Sequence, residues 1–321
     1  MSEKVTVIIP TYKRPRLLIR CLDALALQTI NKDEFMVIVV SDGPDQPTKQ
    51  AIGTWSGHQH LNVSYLQIEK GGPAAARNYG WKQAKTPLIA FTDDDCIPSP
   101  NWLAAFINAY SGEKYIAYTG QTKVPLPDKK TDFALNIAQL EKAEFITANC
   151  ACTRAALQLV GGFDERFEMA WREDSDLHFK FIVHQIEIAQ LIDALVIHPV
   201  RDVPWGISIK EQQKGRYDAL LYKKYPDLYR KKIASSISRY YMMTLLLCLL
   251  IYSITQRHTN LTILSSLLLT LLFGQFIALR LRDRHKSFNQ VTDMMITSLI
   301  IPFLSIYWRI YGAIKYRIVF L

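Results

Sequence analysis

Short apolar runs alternate with amphipathic stretches along the first hundred residues. Runs at residues 5–9, 35–40, 63–68 and 88–91 predict four strands, of which those at 35–40 and 88–91 are expected to be buried. The stretches between them have polar and helical character, and residues 15–29, with a proline at the start and leucines at helical spacing, are the clearest helix. Strands and helices that alternate with short loops predict an α/β domain built on a mostly parallel sheet.

The pattern is less regular from about residue 112 to residue 200. Strands are expected at residues 115–119, 147–152 and 194–197, with a polar insertion at about residues 125–132. A helix is expected to begin within residues 171–177, which carry several acids. Acids in a first helical turn favour the helix dipole, so some of these acids are expected only to cap the helix.

Polar side chains follow each of the first four strands. Thr11-Tyr12, Asp42, Arg77-Asn78 and the run Asp93-Asp94-Asp95 occupy these positions. The carboxyl ends of parallel strands lie at one edge of a sheet, where open α/β sheets bind their ligands. The sequence therefore predicts a binding cleft at this edge.

The three consecutive aspartates at residues 93–95 are the strongest candidate for chemistry. Adjacent carboxylates repel one another, so the arrangement is unfavourable unless a cation or water stabilises it. A hard divalent metal with oxygen ligands would do so. The alternative is a solvated acidic turn that opens the next helix.

The chain changes character after residue 203. We predict a catalytic domain at residues 1–203, basic amphipathic helices at 204–238, a transmembrane hairpin at 239–281 and a basic segment at 282–321. Within the hairpin, residues 240–256 are 17 residues without charge, and residues 259–279 are 21. At ~1.5 Å per residue these helices span roughly 25 and 31 Å, against a hydrocarbon core of ~30 Å.

A third apolar run, residues 294–308, has 15 uncharged residues and contains Pro302. It continues into the basic residues Arg309, Lys315 and Arg317. We expect an interfacial or re-entrant segment, with a third crossing as the alternative.

Charge is distributed unevenly between the two halves. Residues 1–200 hold 20 Lys+Arg and 23 Asp+Glu, a net charge of −3, and residues 201–321 hold 18 and 6, a net charge of +12. Basic residues beside apolar runs predict contact with a membrane surface and not with nucleic acid. The basic residues that flank the hairpin place both its ends, and the globular half, in the cytoplasm of a multi-pass membrane protein. They are Arg230, Lys231, Lys232 and Arg239 before it, and Arg280, Arg282, Arg284 and Lys286 after it.

Two further features agree with a cytoplasmic catalytic half. The five cysteines include no CxxC pair, so we expect reduced thiols. Residues 1–4 lead directly into a strand, which predicts no secretory signal peptide.

Taken in order, the motifs resemble those of family 2 glycosyltransferases, which are inverting enzymes of the GT-A fold. The resemblance covers about residues 5–200 and implies a GT-A (Rossmann-like, mostly parallel) catalytic domain, here followed by a helical membrane region. The matching residues are Ile8-Ile9-Pro10-Thr11-Tyr12, Asp42, Gly72-Pro73-Ala74-Ala75-Ala76-Arg77-Asn78, Asp93-Asp94-Asp95, Gly162-Phe163-Asp164-Glu165, Glu173-Asp174 and His198.

The resemblance implies a nucleotide-sugar donor. Tyr12 would pack on the base, and Asp42 would accept a hydrogen bond from a uracil-type imide, which points to a UDP- or dTDP-type donor. Arg77 would meet the pyrophosphate. The ordinary alternatives are a loop aromatic at Tyr12, an Asx turn with Gly43 at Asp42 and a solvated helix charge at Arg77. The implied donor-binding residues are Pro10, Thr11, Tyr12, Asp42, Arg77, Asn78, Asp93 and Asp94.

The resemblance also implies a metal, Mn²⁺ or Mg²⁺, held by Asp95, Asp93 and His198. The metal would neutralise charge on the departing nucleoside diphosphate. A histidine ligand favours Mn²⁺. For His198 the alternative is a structural histidine before Pro199.

Inverting transfer needs a base for the acceptor hydroxyl, and the resemblance assigns Asp174 to it, beside Glu173. A helix N-terminus would favour the ionised form of Asp174. Asp176 is expected to be a helix-start acid. Trp171 is expected either as an acceptor platform or as a buried aromatic.

Residues 213–217 resemble the QxxRW motif of processive members, with tyrosine in place of tryptophan. Gln213, Arg216 and Tyr217 would then serve the acceptor; the alternative is a basic surface helix near the lipid headgroups. One hairpin is too little to form a polymer-export channel, so a processive synthase is not expected.

We therefore expect a membrane-anchored glycosyltransferase with a lipid-linked or membrane-proximal glycan acceptor. Two alternatives stay open: a polyprenyl-phosphate glycosyltransferase, and a catalytically inactive, nucleotide-binding membrane adaptor.

Overall fold

The computed structural model describes residues 3–57, 61–128, 130–233, 237–282 and 287–320. The chain divides into two units, Met1–Pro125 with Ile137–Val200, and Leu126–Asn136 with Arg201–Leu321. The division near residue 200 lies close to the boundary predicted at residue 203. The insertion at residues 126–136 groups with the C-terminal part of the chain.

The first unit is built on an eight-stranded sheet with the order β3-β2-β1-β4-β7-β6-β8-β5. Its strands are β1 Val5–Thr11, β2 Phe35–Asp42, β3 Val63–Ile68, β4 Leu88–Thr92, β5 Ile97–Pro98, β6 Ile116–Lys123, β7 Asn149–Thr153 and β8 Glu187–Ile197.

Strands β3, β2, β1 and β4 are parallel, as the alternating pattern predicts. Strand β7 runs antiparallel to both of its neighbours, β4 and β6, while β6 pairs with β8 in parallel. The short β5 is antiparallel to β8. The sheet is therefore mixed and mostly parallel, which confirms the predicted GT-A-like fold class.

Both faces of the sheet are covered, which explains why its first strands are continuous apolar runs. Successive side chains of a strand point to opposite faces. In β1, Val5, Val7 and Ile9 lie in one core and Ile8 lies in the other. The helices of this unit are α1 Pro15–Ala26, α2 Gln46–Ser56, α3 Pro73–Gln83, α4 Trp102–Ala109, α6 Arg154–Val160 and α7 Glu173–Val183, and α5 Asp132–Ile137 begins in the insertion.

The second unit begins with short helices. Helices α8 Ile207–Glu211 and α9 Arg216–Lys224 lie in the region predicted to hold basic amphipathic helices, and a 3-10 turn at Gln212–Gly215 joins them. A proline cannot continue the hydrogen bonding of a preceding helix, and α10 starts anew at Pro226 and runs to Lys232. Residues 234–236, within the region predicted to hold basic amphipathic helices, lie outside the described part.

Three longer helices follow: α11 Ser238–Thr255, α12 Thr259–Leu281 and α13 Phe288–Tyr316. Each is long and apolar enough to cross a membrane. Around Met243, Leu269, Phe276 and Ile301 they pack together, while many of their leucines and isoleucines are exposed. Arg284 and Lys286, two of the basic residues that flank the predicted hairpin, lie outside the described residues.

Helix α13 is longer than the apolar run from which it was predicted. It has 29 residues and continues through Pro302 without a break. A re-entrant turn at this position is therefore wrong. Whether the helix crosses the membrane or lies at the interface stays a prediction.

One buried ion pair lies within the second unit. Arg280, near the end of α12, donates to Asp132 of the insertion at 2.7 Å and to the hydroxyls of Thr297 and Ser298 on α13 at 2.9 and 2.8 Å. The insertion is thus fixed to two of the long helices by one guanidinium.

Candidate active site

The three aspartates that follow β4 lie in a tight turn, in which the N–H of Cys96 donates to the carbonyl of Asp93 at 3.1 Å. The Asp94 and Asp95 side chains are buried, whereas that of Asp93 is 28% exposed. The alternative interpretation, a solvated acidic turn, is therefore wrong for Asp94 and Asp95. Each carboxylate contacts a different part of the unit.

Asp94 fixes the turn to the end of β1. Its Oδ2 accepts from the Thr11 hydroxyl at 2.7 Å, and its Oδ1 accepts from Arg14 at 3.2 Å. Burial raises the pKa of Asp94 to about 6, although Arg14 acts in the opposite direction. Both Asp94 and Thr11 were predicted to contact the donor, and both are engaged with each other. Pro10 lies beside them in β1.

Asp95 points to His198. The distance from Asp95 Oδ1 to His198 Nε2 is 3.7 Å, longer than a hydrogen bond, and both residues are buried. The Cys96 thiol belongs to the same cluster: one possible ligand atom from each of the three lies within 4.8 Å of the others. Burial raises the pKa of the Cys96 thiol well above its usual range.

The donor set of this cluster fits a divalent metal. A carboxylate oxygen and an imidazole nitrogen are ligands that Mn²⁺ accepts readily and Mg²⁺ accepts through the oxygen. Nδ1 of His198 is buried and has no hydrogen-bond partner in the part of the chain that the structure describes. Asp93, predicted as a second carboxylate ligand, is not among the clustered residues.

Asp93 pairs instead with Arg77. The Nη2 atom of Arg77 donates to Asp93 Oδ1 at 2.6 Å, and Nη1 donates to Glu173 Oε1 at 3.2 Å. Arg77 is only 2% exposed, so it is not the solvated helix charge of the alternative interpretation. The guanidinium joins the turn after β4 to the first residue of α7.

Glu173 and Asp174 open α7, as predicted. Glu173 is buried, and Asp174 Oδ1 accepts from the N–H of Ser175 at 2.6 Å. Burial raises the pKa of both carboxyls, and Arg77 partly opposes this rise. We expected the helix N-terminus to favour the ionised form of Asp174; the Ser175 N–H does so, but burial has the larger effect. The helix-start acid Asp176 is fully buried, with Lys180 Nζ 3.6 Å away.

Tyr12 and Asp42 follow neighbouring strands. The Lys70 ammonium lies 3.8 Å from the centre of the Tyr12 ring, a cation–π contact. Asp42 is buried, and its Oδ1 accepts from the N–H groups of Gly71 and Gly72 at 2.7 and 2.8 Å. The Asp42 carboxylate therefore orders the glycine loop between β3 and α3.

Asn78 has its amide fully engaged inside the protein. Its Nδ2 donates to Phe163 O and Glu165 Oε1, and its Oδ1 accepts from Phe163 N and Trp81 Nε1. A role in donor binding stays a prediction, and in this arrangement the amide has no N–H left for a donor. Trp171 is 39% exposed, with Arg172 4.6 Å from its ring, so it is not a buried aromatic.

The predicted acceptor motif lies in the second unit. Gln213 is in the 3-10 turn, and Arg216 donates to the hydroxyl of the fully buried Tyr217 at 2.8 Å. Gly312 of α13 packs on Arg216, since a Cβ built there would lie 2.5 Å from the Arg216 carbonyl oxygen. Arg216 therefore takes part in a contact between α9 and α13, and a role of the motif in acceptor binding stays a prediction.

The sequence motifs did not indicate three residues of this region. Arg14 and Cys96 flank motifs that were identified, and for Cys96 the position directly after three aspartates was an available signal. Asn149, which accepts from Trp102 Nε1 and donates to the carbonyls of Gln121 and Ala194, gave no signal, because its partners lie 28 to 47 residues away.

Comparison with known proteins identifies the family of the first unit. Residues 6–162 match the family model "Glycosyl transferase family 2". Validoxylamine A glucosyltransferase of Streptomyces hygroscopicus subsp. limoneus is 28% identical over 248 residues, covering 65% of this chain and 52% of that protein. Glycosyltransferase AglE of Haloferax volcanii is 32% identical over 128 residues, 40% of this chain and 42% of that one.

A solved structure is similar over nearly the whole chain. It is the mannosyltransferase PcManGT from Pyrobaculum calidifontis in complex with GDP-Man and Mn²⁺, with a TM-score of 0.55 and 17% identity, covering 99% of this chain and 88% of that one. At this identity the likeness concerns the fold. The chain spans about half the length of the curated relatives it matches. On the ordered motifs, the sheet and these matches, residues 6–162 form a glycosyl transferase family 2 domain.

Proposed function

We propose that the chain is a membrane-anchored, inverting glycosyltransferase. It moves a sugar from a nucleotide-diphosphate donor to a lipid-linked or membrane-proximal glycan. The observation that carries this proposal is the guanidinium of Arg77, which joins Asp93 of the aspartate turn to Glu173 beside the candidate base, at 2.6 and 3.2 Å. A donor-side loop and an acceptor-side helix are thus fixed to each other in one unit.

The donor is of the UDP or dTDP type in this proposal. Tyr12 packs on the base, and Asp42 presents its second oxygen to the imide N–H while its first holds the glycine loop. Lys70, which lies over the Tyr12 ring, adds a positive charge beside this region. That charge suits a donor with two phosphates.

Asp95 and His198 would hold Mn²⁺ or Mg²⁺. When bound, the metal neutralises charge on the leaving nucleoside diphosphate. PcManGT, whose fold is similar, was solved in complex with GDP-Man and Mn²⁺, which supports this part of the proposal by likeness of fold.

Asp174 is the proposed general base. An acceptor hydroxyl attacks the anomeric carbon, its proton passes to the Asp174 carboxylate, and the bond from the anomeric carbon to the diphosphate oxygen breaks with inversion. The raised pKa of Asp174 suits a base that must hold a proton after the transfer. Glu173 positions the start of α7 through Arg77.

The membrane part of the proposal rests on the three apolar helices. We place them in a cell membrane as a multi-pass anchor. The catalytic unit is on the cytoplasmic side in this proposal, because segments rich in lysine and arginine stay on that side of the membrane. Trp171, which is 39% exposed, serves the acceptor in this proposal.

A donor-hydrolysis screen across nucleotide sugars, with the purified full chain, is the first test. We expect hydrolysis of one uracil or thymine donor, and Asp95→Ala should abolish it while the melting temperature stays near that of the wild type. Activity that survives Asp95→Ala would refute the metal assignment.

Two further results separate the alternatives. Asp174→Asn should abolish transfer to a hydroxyl but have little effect on transfer to a lipid phosphate, which needs little base catalysis. Calorimetry with UDP and Mn²⁺ tests the inactive adaptor, because a folded protein without metal-dependent UDP binding would support it.

A further inference from the structure

Cys96 and His198 are neighbours through the backbone of the sheet. Strands β5 and β8 are antiparallel, with Ile97 opposite Ile197. Cys96 directly precedes β5 and His198 directly follows β8, so continuing the same register places these two residues opposite each other. Side chains directly opposite in an antiparallel pair have Cβ atoms about 4.5–5.5 Å apart.

Hydrogen bonds from other segments fix both residues. The N–H of Cys96 donates to Asp93 O at 3.1 Å, and the N–H of His198 donates to Lys123 O, at the end of β6, at 2.8 Å. The possible ligand atoms of Asp95, Cys96 and His198 all lie within 4.8 Å of one another, and the three residues are buried. Three different donor atoms are thus held close together before any metal binds.

We propose that Cys96 is a third protein ligand of this site for thiophilic divalent cations of the Zn²⁺ class. The inference rests on the proposed function only in taking Asp95 and His198 as metal ligands. Zinc uses cysteine sulfur, histidine nitrogen and carboxylate oxygen, and catalytic zinc sites take three protein ligands. The imidazole of His198 turns its Nε2 atom toward Asp95, at 3.7 Å from Oδ1.

The binding step is a proton exchange without redox chemistry. The Cys96 S–H bond breaks, its proton passes to solvent and a sulfur–metal bond forms, so each metal releases one proton. Mn²⁺ prefers oxygen and nitrogen ligands and Mg²⁺ prefers oxygen, and both have little affinity for a thiol, so neither uses Cys96. Cys96 therefore gives thiophilic cations of the Zn²⁺ class one ligand that Mn²⁺ and Mg²⁺ do not use.

Titration of the full chain in detergent tests this proposal, with Cys248→Ser in every sample to remove the exposed thiol. Co²⁺, the optical substitute for Zn²⁺, should give a sulfur-to-metal charge-transfer band that Zn²⁺ abolishes. Cys96→Ser should remove the band and weaken Zn²⁺ binding by about tenfold or more, while Mn²⁺ binding changes less than about twofold. Cys152→Ser, a buried thiol in β7, is the matched control and should keep the band.

The outcomes distinguish this inference from the proposed function. Mn²⁺ binding without a charge-transfer band in the parent protein overturns the role of Cys96 alone, and this result needs no substitution at Cys96. A band that Cys96→Ser leaves unchanged overturns it as well. If neither Mn²⁺ nor Zn²⁺ binds, both this inference and the metal site of the proposed function fail. Cys96→Ala replaces the serine variant if that variant does not fold.

Discussion

Replacing Arg77 with glutamine leaves Asp93 and Glu173 without the cation they share. Arg77 is 2% exposed, and the side chain of Glu173 is 5% exposed, so water cannot replace the lost charge at Glu173. The other oxygen of Glu173, Oε2, already lacks a hydrogen-bond partner among the described residues. The substitution therefore creates a buried, uncompensated carboxylate.

The expected loss of stability follows from the burial of each contact. Removing one partner of a buried pair destabilises a protein by about 3–5 kcal/mol. The contact to Glu173 is fully buried and accounts for most of this loss, while the contact to Asp93, 28% exposed, is discounted for solvent screening. The positive charge of Arg77 also lowers the pKa of Glu173 and of Asp174, against the larger effect of burial. Arg77→Gln should therefore raise both pKa values further.

Two measurements check this prediction. The unfolding free energy of Arg77→Gln should fall by about 3–5 kcal/mol. Because the proposed base must be ionised, the rise of kcat/KM with pH should move to higher pH. Arg166→Gln is the matched control: its pair with Asp164 is as short, at 2.6 Å, but Arg166 is 60% exposed, so its loss should stay below about 1 kcal/mol. Equal effects of the two substitutions, with an unshifted pH profile, would refute the reasoning.

Other positions give sharper tests of single contacts. The pKa of Asp94 is raised, so the folded state binds this proton more tightly than the unfolded state does, and the wild type loses stability as pH rises from about 4 to about 6. Asp94→Asn has no such loss. Between pH 4 and pH 7 this variant should gain up to about 3 kcal/mol relative to the wild type, measured by denaturant unfolding. Asp132→Asn leaves Arg280 uncompensated and should lower stability by about 3 kcal/mol, partly restored by a second change, Arg280→Met. Gly72→Ala should destabilise by about 1–3 kcal/mol more than Gly112→Ala: both glycines have positive φ, but a Cβ at Gly72 overlaps backbone and one at Gly112 meets open space.

The first half of the sheet was predictable because its strands are buried on both faces. A parallel strand covered on both sides must be apolar throughout, so the run itself marks the strand. Strand β4 was predicted at residues 88–91, and the structure has it at Leu88–Thr92, buried throughout. Helix α1 begins at Pro15, as predicted, and its buried residues repeat at helical spacing.

The apolar pattern predicted only part of strand β8. Only residues 194–197 were predicted, yet the strand begins at Glu187, and its first seven residues are partly or fully exposed. Their extended conformation comes from pairing with β6, with an irregularity in the register after Gly120. A local pattern does not contain the partner strand, so it indicates neither this extension nor the reversed direction of β7.

For the site too, the sequence predicted which residue types take part but not which residues pair with each other. The order of the motifs identified the acids, the arginine and the histidine, because chemistry restricts which side chains can serve. The pairing of Arg77 with Glu173 joins residues 96 positions apart, and no local pattern contains it. Burial, which raises the pKa of Asp174 against its helix N-terminus, is likewise a property of the packed unit.

The observed pairing of Arg77 and its predicted contact with a pyrophosphate require the same guanidinium. Of its two partners Asp93 is the more exposed, so a diphosphate would displace Asp93 and leave Glu173 in place. Asp93→Asn should then bind UDP more tightly without metal, because the guanidinium is released, while uridine, which has no phosphate, should bind as before. Calorimetry with the two ligands separates the possibilities: weaker binding of both would place Asp93 on the ribose and keep Arg77 as a fixed link between the aspartate turn and α7.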